Sequence, residues 1–220
     1  MCSVARALDV LGERWTLLIV RELLLGPKRF KDLMATLPAM GTNRLGERLK
    51  SLQAAGVIAR RRLPPPAGVH VYELTESGER LRPAIYCLGA WGRELPLEPG
   101  LERDSARAEL IALGLAGTSP PALSAELAET YEFAVGEERF HVNVEHGVLR
   151  TLSGPAPVAA DLLVECDLHT FLGLAAGELT SARAIRAGQA RIRGEPLLLA
   201  RAFELMSFRQ AESEFRLVPA

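Results

Sequence analysis

A chain that runs from an amphipathic helix straight into a basic β-hairpin has few ways to fold. Residues Gly41 to Tyr72, GTNRLGERLKSLQAAGVIARRRLPPPAGVHVY, are such a stretch. Leu45, Leu49 and Leu52 recur at i, i+4 and i+7, so they share one helix face. At 100° per residue, Asn43, Glu47 and Lys50 point away from that face, with Arg44, Arg48 and Ser51 on one flank. Gly56 is placed to end the helix. Val57 to Ala59 then lead into Arg60, Arg61 and Arg62, the turn Pro64 to Gly68 follows, and Val69 to Tyr72 return as the second strand.

An outer face of Asn, Arg, Lys and Ser carries the donors and acceptors that read base edges and grip phosphates. A charged outer face is often only solvated. Three adjacent arginines on the hairpin argue against that here, because neighbouring cations repel unless a polyanion neutralises them. A helix with such a face, followed by a basic hairpin, outlines a winged helix-turn-helix. The expected DNA-contacting set is Lys28, Arg29, Thr42, Asn43, Arg44, Glu47, Arg48, Lys50, Arg60, Arg61, Arg62 and His70.

Charge distribution separates the two halves. Residues 1–95 hold 15 Lys and Arg against 9 Asp and Glu, whereas residues 96–220 hold 11 against 18. A basic front and an acidic back fit a nucleic-acid-binding domain, 1–95, joined to a domain, 101–220, that does not bind nucleic acid. With 48% hydrophobic residues a substantial core is available, and no stretch approaches the length of a membrane span. No signal-peptide pattern is present, and Cys2, Cys87 and Cys166 are too few and too scattered for a disulfide framework or zinc site. The expected compartment is a reducing cytoplasm.

Upstream of the central stretch, Ser3 to Leu11 reads as a helix with Val4, Leu8 and Leu11 on one side. Trp15 to Leu25 reads as a second, and Phe30 to Ala35 as a short third. Downstream, Leu74 to Gly78 introduce a helix expected to run to Arg93, with Ile85, Leu88 and Trp91 along it. The order of CSVARALDVLGERWTLLIVRELLLGPKRFKDL, NRLGERLKSLQAAGVIARR and VYELTESGERL resembles the HxlR family of bacterial winged-helix transcription regulators, over roughly residues 2–92. The matching features include Cys2, Arg14-Trp15-Thr16, Gly26 before Arg29-Phe30, the helix end at Gly56, and Tyr72, Leu74, Thr75 and Gly78. That resemblance implies a homodimer on operator DNA, and a palindromic operator with it. Some members use the early cysteine as an oxidant or electrophile sensor. Here Ser3 stands where proline often follows that cysteine, and no basic residue nearer than Arg6 supports a lowered thiol pKa.

After a linker at about 93–103 and a helical patch from Arg103 to Leu115, the pattern changes to strict alternation. Tyr131, Phe133 and Val135, then Phe140, Val142 and Val144, alternate with polar residues. Gly136 and Gly147 sit at the turns, and Val148 to Leu152 and Leu162 to Cys166 continue the sheet. Asp167 and Thr180 are placed as helix N-caps, a short strand spans Gln189 to Arg193, and Pro196 opens a last helix. The expected class is therefore α+β, a winged helix-turn-helix joined to an antiparallel sheet packed with helices. The string DLHTFLGLAAGELTSARAIRAGQARIRGEP resembles the sterol-carrier-protein type of lipid-binding domain, over about 125–210. That resemblance implies an apolar site, with Phe133, Phe140, Val142, Val144, Phe171 and Leu172 as its lining and a small hydrophobic molecule as its ligand.

No catalytic constellation stands out. Ser153-Gly154-Pro155 lacks the flanking glycines of a nucleophile elbow, and His141 and His146 beside Glu145 read as surface residues of a hairpin. No cofactor or metal is expected. Two function classes stand: a DNA-binding regulator, and a lipid carrier whose winged helix makes protein contacts. The arginine run favours the regulator.

Overall fold

The computed structural model describes residues 2–96, 107–117, 119 and 125–206. Two compact units divide the chain, Met1–Cys87 and Leu88–Ala220. Residues 97–103 of the expected linker, the first residues of the helical patch at 103–106, and residues 207–220 lie outside the described part.

In the first unit, α1 (Ser3–Leu11), α2 (Thr16–Leu24), α3 (Phe30–Thr36) and α4 (Thr42–Ala54) lie within a residue or two of where periodicity puts them. Ile19, Val20 and Leu23 of α2, Leu33 of α3 and Leu45, Leu49 and Leu52 of α4 form one buried core with Leu37, Met40, Val57 and Ile58. The end of α4 is built on Gly56, whose φ of 71° is open to glycine at little cost. There the Gly56 N–H donates to Gln53 O and the Val57 N–H to Leu52 O, each at 3.0 Å, closing a Schellman motif that aims the chain into the hairpin.

The hairpin pairs β1 (Ile58–Arg62) with β2 (His70–Leu74) in antiparallel register, Arg60 opposite Tyr72 and Arg62 opposite His70. On the other side of β2, Lys28 exchanges both backbone hydrogen bonds with Tyr72, at 2.9 and 2.8 Å. The wing is thereby tied to the loop between α2 and α3.

Beyond the hairpin, one continuous helix to Arg93 is expected. Two are found, α5 (Glu76–Glu79) and α6 (Arg82–Arg93). Pro83 has no N–H to give the Glu79 carbonyl, so the first helix cannot propagate, and the proline sits in the first turn of the next. Gly78 is packed so closely that a Cβ there would stand 2.2 Å from the Val57 carbonyl oxygen.

The second unit holds α7 (Ala108–Ala116), β3 (Ala128–Val135), β4 (Glu138–Glu145), β5 (Val148–Ser153), β6 (Leu162–Cys166), α8 (Leu168–Ala175), α9 (Ser181–Arg186), β7 (Ala190–Arg193) and α10 (Pro196–Leu205). The strand order is β5-β4-β3-β6-β7. The sheet is not purely antiparallel, as expected from the alternation; β3 and β6 pair in parallel. After the meander β3-β4-β5 the chain crosses back over the sheet and enters beside β3. That crossing is fastened to polar side chains: Glu132 accepts from the Ala156 N–H at 3.0 Å, and Asp161 from the Thr130 N–H at 2.8 Å. Alternation along a strand reports which face is buried, not which direction a neighbour runs.

The caps fall as expected. Asp167 accepts from the Thr170 N–H at 2.7 Å and Thr180 from the Arg183 N–H at 3.3 Å. At the start of α7, the Ala108 and Glu109 N–H groups donate to the Glu138 carboxylate at 3.0 and 3.2 Å, a pairing between distant residues.

Candidate nucleic-acid interface

The two faces of α4 part cleanly. Leu45, Leu49 and Leu52 are at most 1% exposed, while Thr42, Asn43, Arg44, Glu47 and Lys50 all face solvent. Arg48 is half-buried, its guanidinium 3.6 Å from the Glu13 carboxylate, so it braces α4 against the turn before α2. Ser51, on the flank, donates back to the Glu47 carbonyl of its own helix at 3.1 Å.

The start of α4 carries a feature that the side-chain pattern did not show. Its N-cap is Gly41, which has no side chain with which to satisfy the first N–H groups. They open onto a surface hollow lined by Pro38 to Arg44. Uncapped N–H groups with the positive end of the helix dipole suit an anionic oxygen such as a DNA phosphate. The glycine before Thr42, where Ser, Asp or Asn would be usual, is the available sequence signal.

The wing departs from expectation in one respect. Arg60, Arg61 and Arg62 are all exposed, but Arg61 is already neutralised within the hairpin. Its Nε and Nη2 each donate to the Glu73 carboxylate at 2.8 Å, and Glu73 raises the guanidinium pKa further above its ordinary value. Arg62 Nε donates to the Gly68 carbonyl at 3.1 Å, leaving its other nitrogens available. Arg60 has no side-chain hydrogen bond or ion pair among the described residues. Arg60, Arg62 and His70 stand on one face of the strand pair, because directly opposed residues share a face. The wing thus presents two cations and a histidine, with its third arginine held by a carboxylate.

Lys28 and Arg29 separate. Arg29 is exposed at the N-cap of α3, its N–H donating to Asp32 at 2.8 Å. Lys28 is only 8% exposed, beneath the Tyr72 bridge, and does not join the exposed set. Burial follows from its place as a one-residue third strand, which no local periodicity reveals.

The expected ligand lining is core. Phe133, Phe140, Val142, Val144 and Phe171 are at most 2% exposed, and Leu172 is half-buried. Phe133 stacks on Phe140 with centroids 5.2 Å apart, Phe171 meets both edge-on at 5.8 and 5.9 Å, and Phe203 of α10 closes on Phe171 at 5.4 Å. At these separations the rings are in contact. The expected lining packs ring on ring, joined by Phe203, which the alternation of β3 and β4 could not supply.

Among the thiols, Cys2 and Cys87 are exposed. Cys166 is partly covered, and burial, with Asp167 beside it, pushes its pKa up to about 12. No group of His, Cys, Asp and Glu among the described residues is arranged to hold a metal ion, and no helix there is long and apolar enough to cross a membrane.

The two halves of the chain match different families of known proteins. Residues 120–220 match the family described as alkyl sulfatase C-terminal. Residues 10–98 match the family described as HxlR-like helix-turn-helix. An uncharacterized HTH-type transcriptional regulator of Mycobacterium bovis, Mb3122, is 42% identical over 99 residues, 44% of this chain and 62% of that protein. The reduced form of the transcriptional regulator YodB from B. subtilis is similar in structure, with TM-score 0.40 and 38% identity over 46% of this chain and 98% of that one. The HTH-type transcriptional regulator YodB of Bacillus subtilis is 38% identical over 101 residues, which are 46% of this chain and 89% of YodB. The chain belongs to the HxlR-like helix-turn-helix family.

Proposed function

We propose that this chain is a transcription regulator that binds a palindromic DNA operator as a homodimer. The observation that carries the proposal is the division of α4 into a leucine face sealed in the core and an outer face of Thr42, Asn43, Arg44, Glu47 and Lys50. In this reading that outer face enters the major groove. The uncapped start of α4 takes a phosphate, and Arg60, Arg62 and His70 reach the backbone beside it. Arg29 and Arg48 are supporting contacts, and Arg61 acts through its hold on Glu73.

Homodimerisation is supported by two apolar faces. In α1 no residue is buried, and Val4 and Leu8 are 66% and 55% exposed. In α6, Leu88 and Trp91 are 50% and 59% exposed. Apolar surface of this kind, repeated at helical spacing, is stabilised by burial against a second copy. Two recognition helices about 34–36 Å apart then meet successive major grooves. The domains are taken as 1–95 for DNA binding and 101–220 for ligand binding or dimerisation, in a cytoplasmic protein.

A lipid-carrier reading follows from the sterol-carrier resemblance of the second half. It requires Phe133, Phe140, Phe171 and Phe203 to part before an acyl chain could enter, and their mutual packing favours the regulator instead. Gel-shift titration with the intergenic DNA upstream of its own gene tests the proposal. A retarded complex that survives excess unrelated duplex supports it; equal affinity for both, or none for either, overturns it.

A further inference from the structure

Between Glu178 and Glu195 the acidic second half carries no carboxylate and four arginines, Arg183, Arg186, Arg191 and Arg193. Arg183 and Arg186 lie three apart on α9 and share a helix face. Arg191 and Arg193 lie two apart on β7, so they leave the same face of the sheet, about 6.7 Å from each other along the strand. The turn between the two elements is short and hydrogen-bonded. Gly188 donates to the Ile185 carbonyl at 3.0 Å and Gln189 to the Ala184 carbonyl at 2.9 Å, so the last turn of α9 abuts the start of β7. β7 is the outer strand of the sheet, and all four arginines are exposed.

What sets these four apart is that none makes a side-chain hydrogen bond or ion pair among the described residues. In the same unit Arg107 is paired with Glu109, Arg139 with Glu132 and Arg201 with Glu129. Carboxylates are plentiful there, but residues 179–194 contain none, and Glu165 opposes Arg191 across the strand pair. A hollow of about 190 Å³ lies among Leu163, Glu165, Arg191, Ile192 and Arg193. That is smaller than the roughly 300–1,000 Å³ of a small-molecule site. Arg191 and Arg193 flank that hollow on one face of β7, with Arg183 and Arg186 on the adjoining helix, and unpaired guanidinium groups along an exposed sheet edge suit a partner that is itself a row of negative charges.

We propose that this arginine edge is a second DNA-backbone contact, made by the C-terminal unit to phosphates flanking the operator. The proposal rests on the DNA-binding reading of the first unit. It also revises the expectation, drawn from net charge alone, that the acidic half stays clear of nucleic acid. Local segregation of charge, not the sum over the unit, sets the field a phosphate meets at short range.

The test uses the full chain, with Arg183, Arg186, Arg191 and Arg193 all changed to Gln, beside the unchanged chain and an Arg60→Gln/Arg62→Gln variant. Binding is measured across a salt series to the upstream intergenic duplex at about five helical turns and trimmed to about two. On the long duplex the quadruple variant should bind about tenfold more weakly near 0.15 M salt, with a log–log salt slope shallower by about 2–4. On the trimmed duplex it should match the unchanged chain, while the wing variant weakens on both. Replacing the four by Lys should restore the slope, which separates lost charge from damaged folding. An unchanged slope on the long duplex, with the wing variant still weakened, would overturn the arginine edge and leave a solvated, charge-protected sheet edge. Binding of phosphatidylglycerol vesicles through the four arginines without any DNA effect would overturn it in favour of a membrane surface. Absence of DNA binding by the unchanged chain would remove the first unit's reading and this one together.

Discussion

Arg61 and Glu73 meet across the hairpin in a two-point contact, with Nε and Nη2 of the guanidinium each 2.8 Å from a carboxylate oxygen. The wing therefore stores a cation under a removable counter-charge. Glu73→Gln should free Arg61 for phosphate and steepen the salt dependence of DNA binding by about 0.9 in log–log slope. Arg60→Ala should flatten it by a similar amount. Fluorescence anisotropy over a salt series reads both, and a Glu73→Gln slope equal to that of the unchanged chain would show that Arg61 does not reach DNA.

The recognition helix separates stability from reading. Asn43→Ala or Arg44→Ala should cost about 1–3 kcal/mol of operator affinity and relax preference at one base position. Because both side chains are exposed, thermal unfolding should be nearly unmoved. Leu49→Ala, at 1% exposure, should instead lose about 2–5 kcal/mol of stability by opening a cavity. Unfolding curves and anisotropy on the same samples distinguish the two patterns.

Dimerisation through apolar helix faces makes a sharp forecast for α1. No α1 residue is buried within the chain, so Leu8→Asp should leave the unfolding of the isolated fold unchanged while shifting the mass to that of a monomer. Operator affinity should fall with it, since each half-site would then be bound alone. Sedimentation velocity at micromolar concentration decides, and a monomeric unchanged chain would remove the palindrome as well.

The thiols should react in a defined order. At pH 8, Cys2 and Cys87 should be alkylated readily in the folded protein and Cys166 only after unfolding, as read by mass spectrometry. Burial raises the folded Cys166 pKa to about 12 from an ordinary 9.0, so the folded state holds this proton more tightly than the unfolded chain does. Its contribution to stability is complete below about pH 9 and is lost as the pH rises toward 12. Cys166→Ser should lessen that alkaline loss, and an unaltered pH profile would assign it to other groups.

The aromatic core of the second unit gives a forecast for ligands. A fluorescent fatty acid should not bind the full chain saturably, because Phe133, Phe140, Phe171 and Phe203 are packed ring against ring in the core. Phe171→Ala should cost about 3–5 kcal/mol of stability. Saturable binding by the unchanged chain would show that the rings part.

The amino-acid sequence by itself determined the elements and their inward faces. The leucine spacing of α4, the stop at Gly56, the caps Asp167 and Thr180, and the alternation of β3 and β4 are each decided within a few residues, where backbone sterics and local hydrogen bonds act. Membership in a helix-turn-helix family was legible for the same reason: its marks lie along about ninety consecutive residues, which 10–98 match. The break before α6 is legible too, in Pro83, whose missing N–H outranks the apolar repeat. What only the tertiary structure decided involves residues far apart in the chain. Lys28 was buried by pairing with Tyr72, Arg61 was taken out of the free wing charge by Glu73 twelve residues on, and Phe203 filled the space that β3 and α8 left open. The parallel pairing of β3 with β6 belongs with these, since strand alternation is the same whichever way the neighbour runs. Each of these depends on which surfaces meet after the chain has folded back on itself, and contacts across such separations leave no periodicity in the sequence for a reader to find.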